Sequence, residues 1–194
     1  MGRWTRIAGF VVLGVALLAL GVYGWAALTT RSTLAAEYEA HEVDFPVPFP
    51  LTADERAELD VEDEDEAEAL ARDRAVERGR HLLESRYACA ECHGEDLGGG
   101  VMVDAFPLGS LLGPNLTGGE GGAMGDYTPA DWDRIVRHGI LPDGQPAVMP
   151  SEDFLRMSDR ELSDIVAYIR SLDPVDNRVP RSTLGPLGKV LVAT

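Results

Sequence analysis

Cys89-Ala90-Glu91-Cys92-His93 is the stretch from which the rest of this chain can be read. Cys-x-x-Cys-His is the attachment signature of a c-type haem. Two thiols three positions apart share one helical turn, where each can bond one vinyl group of a porphyrin. The adjacent imidazole is then carried beneath the iron as its proximal ligand. The chemistry demands this spacing, because both tethers and the ligand must face one ring. Three other readings explain less. Structural zinc wants four ligands, and the chain has no third cysteine. A thioredoxin-like dithiol belongs in a βαβ setting, and no convincing strand alternation surrounds the motif. A plain disulfide leaves His93 without a role.

On the N-terminal side of the motif, Ala71, Ala75, Gly79, Leu82 and Leu83 recur at three- and four-residue spacing, which predicts an amphipathic helix over about 66–86. Gly79 inside that helix costs about 1 kcal/mol relative to alanine, so close approach of a second helix is expected there. Before it, residues 51–70 hold ten acids against the single base Arg56. Such a block reads as a solvated, self-repelling linker, with a docking strip for a basic partner as the alternative. Further back, Phe45-Pro46-Val47-Pro48-Phe49-Pro50 blocks helix and favours an extended spacer.

The chain opens on an apolar run. Ile7 to Leu28 are 22 residues without a charge, about 33 Å as a helix and enough for the roughly 30 Å hydrocarbon core. Trp4, Tyr23 and Trp25 stand near its ends, where amphipathic rings prefer the headgroup layer. The run is longer than a signal-peptide core, and both cysteines belong to the haem motif, which excludes a lipoprotein. An uncleaved anchor in the lipid bilayer through residues 7–28 is therefore expected. Arg3 and Arg6 precede it, so positive-inside reasoning keeps the N-terminus cytoplasmic and exports the rest to the periplasm, or the outer face of the membrane. The formal net charge is −16, with −18 lying beyond residue 28. That excludes nucleic acid as a partner, which wants a basic face.

On the C-terminal side, residues 94–125 hold 11 of the 21 glycines, and an irregular loop wrapped on a rigid object is expected. Thr128-Pro129-Ala130-Asp131 announces a helix by its cap, its first-turn proline and its acid. Trp132, Ile135 and Val136 are its buried stripe, and Gly139 ends it. Ser158 and Glu161 form a capping box for a last helix whose apolar face is Leu162, Ile165, Val166, Ile169 and Leu172. Asp173-Pro174 stops it.

In order, the haem motif, Gly113-Pro114-Asn115-Leu116-Thr117, the helix with Trp132, Asp143-Gly144, Met149-Pro150 and the final helix resemble a class I, mono-haem cytochrome c. Within that class the chain is similar to the membrane-anchored cytochrome c subunits of bacterial dehydrogenases and respiratory complexes. The resemblance covers about residues 70–185. It implies an all-α domain around one covalently attached haem c, with iron held by His93 and Met149. It also implies that the Pro114 carbonyl accepts from Nδ1–H of His93, fixing the tautomer and orienting the ring. Trp132 is open to two readings, a hydrogen bond to a haem propionate or plain core packing. The other sixth-ligand candidates are Met102, Met124, Met157, His41, His81 and His138. Of these, Met102 and Met124 come too early in the family's order, and Met157 reads as core. In the family the final helix crosses the first at small and aromatic residues, here Gly79 and Tyr168.

The expected organisation is an anchor over 1–30, a proline-containing acidic linker over 31–66, a cytochrome c domain over 67–175 and an extension over 176–194. Two filled axial positions leave no place for a substrate. The expected role is single-electron transfer between a redox donor and acceptor, within a membrane complex, rather than catalysis. The alternatives are a haem-based sensor with a labile sixth ligand and a mainly structural anchor subunit.

Overall fold

The structure is a computed structural model that describes residues 2–39, 43–122, 125 and 127–194. His41 and Met124 lie outside the described residues. The chain divides into two compact units. One comprises residues 1–36, 103–111 and 182–194, the other residues 37–102 and 112–181.

The larger unit is built on helices. Its long helix α3, Glu64–Leu82, starts on Asp63, whose side chain accepts from the Glu66 N–H. It buries Ala67, Ala71, Ala75 and Gly79, every fourth residue, and so presents a flat stripe of small side chains. Helix α6, Asp159–Ser171, lies in that stripe. Ser158 and Glu161 close its capping box, and Leu162, Ile165, Val166 and Ile169 are buried. At Gly79 the two backbones are so close that a β-carbon there would sit 2.0 Å from the Asp164 carbonyl oxygen and 2.9 Å from Cβ of Tyr168. The expected Gly79–Tyr168 crossing is present. Beside it Arg78 grips Asp164 through two hydrogen bonds of 2.7 and 2.8 Å. Helix α5, Pro129–His138, carries the Thr128–Asp131 capping box and ends on Gly139 in the left-handed region. Its buried Trp132 and Ile135 join Leu97, Leu116, Phe154, Met157 and the α6 face in one core.

Three expectations need correction. The 31–66 linker is not an extended spacer. Phe45 is buried in the core, and Ser163 Oγ donates to the Pro46 carbonyl at 2.7 Å. An apolar ring beside a helix-blocking proline is better placed against α6 than in water. The acidic block is largely helical rather than a solvated coil. Helix α2, Ala53–Leu59, begins with a Thr52–Glu55 capping box, and Arg56 reaches Glu64 at 2.8 Å and the Glu62 carbonyl at 3.2 Å. Acids in a first turn are favoured by the helix dipole, so the block is arranged rather than simply repelled.

The third correction concerns the all-α expectation. Helices dominate, but the glycine-rich stretch contains strands β1, Gly100–Ala105, and β2, Gly109–Gly113. With β3, Thr183–Leu184, they form a sheet of order β1-β2-β3. β2 runs antiparallel to β3, with Gly109 opposite Leu184 and Ser110 opposite Thr183.

The smaller unit contains the outer part of this hairpin, β3, and two helices. Helix α1, Arg3–Leu34, is long and apolar enough to cross a membrane by length and composition. Helix α7, Pro186–Ala193, packs along its C-terminal part, where Ala26 and Thr30 are buried. Thr30 Oγ1 donates to the Lys189 carbonyl at 2.8 Å.

The α3–α6 crossing yields a stability prediction. Gly79→Ala places a methyl into the Asp164 backbone and should cost about 1–3 kcal/mol through overpacking. Gly118→Ala meets nothing within 4 Å and should be nearly neutral. Thermal or urea unfolding of the two variants checks this.

Candidate haem site

The motif is delivered by the end of α3. After Leu82 the chain widens into a π-helical turn, Leu83–Tyr87, and Ala88 takes the left-handed conformation. The single-turn helix α4, Ala90–His93, then follows with Cys89 at its cap. The His93 N–H donates to the Cys89 carbonyl at 3.0 Å, so both cysteines and the histidine sit on one turn. Gly94 breaks it with a positive φ. The thiols are not joined to each other. Burial pushes the Cys89 thiol up to about 11, and Cys92 is raised for the same reason. Neither is a ready thiolate nucleophile.

His93 is buried, and its Nδ1 lies 2.9 Å from the Pro114 carbonyl oxygen. A carbonyl can only accept, so the proton is on Nδ1 and the Nε2 lone pair is free. Burial holds the imidazole below the ordinary histidine value, opposed by this hydrogen bond. Both effects leave a neutral ring with one oriented donor nitrogen, which is what iron requires. The loop bearing Pro114 passes very close to the motif. A β-carbon on Gly113 would lie 2.0 Å from the Cys92 carbonyl oxygen, so glycine is required there.

Asn115 and Thr117 hold that loop in place, a role the sequence did not reveal. Both are fully buried. Asn115 Oδ1 accepts from the N–H and the hydroxyl of Thr117, each at 2.8 Å. Its Nδ2 donates to the Val175 carbonyl at 2.6 Å, and the Val175 N–H donates to Thr117 Oγ1 at 2.9 Å. The available signal was Asn-x-Thr, an Asx-turn pattern. What it clasps, 58 residues further on, left no local trace.

Cys89, Ala147 and Met149 pack against the same core that contains Trp132, Leu97, Leu116 and Phe154. Met149 is half-buried beside Pro150, whereas Met157 lies within the core. His81 is exposed on α3. His138 stands 3.5 Å from the buried Asp133 carboxylate. The Trp132 indole N–H is buried and has no hydrogen-bond partner among the described residues. A buried donor left unpaired costs about 1–3 kcal/mol. A haem carboxylate would satisfy it. This orphaned donor and the free Nε2 of His93 both fit a covalently held haem.

A tethering turn, an oriented imidazole and an adjoining apolar core define the class of covalent-haem proteins. Comparison with known proteins agrees. Residues 74–169 match the family described as cytochrome c oxidase, cbb3-type, subunit III. The cytochrome subunit of fructose dehydrogenase from Gluconobacter japonicus is 33% identical over 119 residues, covering 57% of this chain and 24% of that protein. The cytochrome c subunit of gluconate 2-dehydrogenase from Pantoea cypripedii is 32% identical over 109 residues, covering 53% and 24%. The cytochrome c subunit of a quinone alcohol dehydrogenase from Gluconacetobacter polyoxogenes is 34% identical over 115 residues, covering 52% and 24%. Through residues 74–169 the chain belongs to the cytochrome c family. The matches span about a quarter of the length of these relatives.

The Asn115 clasp can be tested. Asn115→Ala leaves the Val175 carbonyl and the Thr117 N–H without their buried partner, and should lower unfolding free energy by about 2 kcal/mol or more. Chemical denaturation should show this together with a changed environment around His93, read from its ring proton shifts.

Proposed function

We propose that this chain is a membrane-anchored mono-haem cytochrome c that passes single electrons between partner proteins, as a subunit of a dehydrogenase or respiratory complex. The observation that carries the reading is the His93 ring. It sits on one turn with Cys89 and Cys92, and its Nδ1 is held 2.9 Å from the Pro114 carbonyl. The haem iron supplies the one-electron chemistry. Cys89 and Cys92 tether the ring, and His93 Nε2 ligates one face. Met149 Sδ is assigned to the other face and favours the reduced state. Trp132 Nε1–H donates to a propionate, and Pro114 keeps the His93 tautomer fixed. The two thiols allow one attached haem per chain.

With both faces ligated, no position remains for a substrate, so the domain transfers electrons without catalysing a reaction itself. Support for the subunit role comes from the relatives, which are named as cytochrome subunits of dehydrogenases. Helix α1 anchors the chain in the bacterial inner membrane, and Arg3 and Arg6 at its start favour a periplasmic haem domain. The acid excess beyond the anchor suits a redox partner with a basic face.

Two results test this. Changing Cys89 and Cys92 together to Ala should abolish the haem stain that the denatured protein keeps on a gel; haem that extracts freely from the unaltered protein would refute covalent attachment. Met149→Ala should let the ferrous protein bind carbon monoxide and lower its potential on the order of 0.1 V, well inside the ~0.8 V that axial ligands command. Should Met157→Ala do this instead, the ligand is Met157. Carbon monoxide binding by the unaltered protein would favour the sensor reading.

A further inference from the structure

We propose that the tip of the β1–β2 hairpin and helix α7 form a collar seated in the bilayer leaflet at the C-terminal end of α1, with its apolar underside covered by lipid acyl chains. This rests on the reading of α1 as a membrane anchor.

The side chains of α1 divide sharply along its length. Large apolar residues from Trp4 to Tyr23 are exposed, whereas Ala26 and Thr30 are buried. Ile7 to Ala26 is about 30 Å of helix, the thickness of the hydrocarbon core. Protein packing on α1 therefore begins where the lipid-facing stretch ends. Immediately below, an open groove is lined by Val15, Leu18 and Val22 of α1 and by Pro107, Leu187 and Val190 of the collar. Its α1 wall is continuous with the surface that the anchor presents to lipid. Around it the collar also exposes Phe106 at 90% and Leu191 at 60%, apolar groups that a water-facing tail would not display together.

The backbone of the collar suits a lipid setting. Non-helical chain is tolerated at membrane depth only if its polar groups are satisfied internally. Here the Leu108 N–H donates to the Ala105 carbonyl at 2.8 Å, and Gly185 N–H to Leu108 at 2.8 Å. Leu187 N–H donates to Pro107 at 3.1 Å and Lys189 N–H to Gly185 at 3.0 Å. Pro107 and Pro186 have no N–H to satisfy. The charge pattern agrees. This unit holds Arg3, Arg6, Arg31 and Lys189 against the single acid Asp104, a net +3 in a chain of −16. The Lys189 ammonium stands 3.5 Å from the Tyr23 hydroxyl and 5.7 Å from its ring centre, an interfacial aromatic paired with a snorkelling cation.

A transmembrane helix of another protein is the competing occupant. Lipid is favoured because α7 is only eight residues, about 12 Å, too short to pair with a spanning helix. The collar's one basic residue, Lys189, also suits anionic headgroups.

The test uses the full haem-loaded chain in vesicles of phosphatidylethanolamine and phosphatidylglycerol. Nitroxide labels are placed, one at a time, on Phe106→Cys, Leu191→Cys, Leu13→Cys in the anchor and Glu152→Cys on the exposed surface of the larger unit. Collision with oxygen and with a water-soluble nickel chelate is read by power saturation in the reduced protein. The collar labels should resemble Leu13→Cys, with oxygen favoured over nickel, and Glu152→Cys should show the reverse. Collar labels that behave like Glu152→Cys overturn the proposal, because the collar is then in water. Labels shielded from both reagents overturn it in favour of a protein occupant. If Leu13→Cys itself reports water, or alkaline carbonate strips the chain from the vesicles, the anchor reading fails and the collar fails with it.

Discussion

The closest contact in the larger unit, the crossing of α3 and α6 at Gly79, sets the geometry of everything that follows from either helix. A residue with any side chain would separate the backbones, since the Asp164 carbonyl oxygen occupies the place of a β-carbon. Each helix leaves the crossing carrying one half of the site. Helix α3 unwinds through its π-helical turn and Ala88 into the turn of Cys89, Cys92 and His93. A π-turn swings the following residues about the helix axis and recurs at functional positions. Helix α6 runs out through Leu172 to Val175, where Asn115 and Thr117 clasp the backbone. That clasp fixes Pro114, and Pro114 fixes the His93 ring. Imidazole orientation is thus linked to helix packing through a short chain of buried contacts.

Electrostatics reinforces the same joint. Asp164 is almost fully buried on the face of α6, and an unpaired carboxylate there would be strongly destabilising. Arg78, one residue from Gly79, meets it with a bidentate contact while remaining partly open to solvent. The pair therefore fixes rotation of one helix against the other more than it adds net stability, because desolvation offsets much of the attraction. On α5 the arrangement repeats. Buried Asp133 is met by Arg137 at 2.8 Å, and Arg137 also reaches Asp159 at 2.7 Å at the start of α6. Side chains alone thereby join α5 to α6 near Trp132, whose indole faces the core.

The features legible in the sequence were local and periodic. Capping boxes at Thr128 and Ser158, the apolar stripe of α6 and the small-residue stripe ending at Gly79 each depend on residues within a turn or two of one another. The capping box at Thr52 had the same signature, Thr-x-x-Glu, but the surrounding run of acids concealed it as a linker. Charge repulsion was allowed to outweigh a specific cap, when Arg56 was available to neutralise the next helix start. Phe45 was misplaced for a related reason. Proline argues for extended backbone, which is correct, but extended does not mean solvated. The strands were unreadable because β2 is paired with Thr183 and Leu184, over 70 residues away, and no window contains both. The same holds for the Asn115–Val175 clasp. Non-local pairing, rather than weak propensity, separates the missed features from the found ones.

Charge is segregated in the chain as strongly as hydrophobicity. With +3 on the unit that contains α1 and the tail, the remaining residues carry −19. Such an excess makes the larger unit soluble and repels it from anionic lipid. At about 8 Å of Debye length in physiological salt, that repulsion acts over little more than one layer of side chains. It therefore cannot set where the protein resides, whereas an apolar helix and an uncharged tail can. What a short-ranged acidic surface can do is discriminate among neighbours that already share the membrane, admitting a basic docking face and rejecting an acidic one. The sequence thereby divides two tasks between two kinds of surface: apolar contacts for residence, and charge for the choice of redox partner.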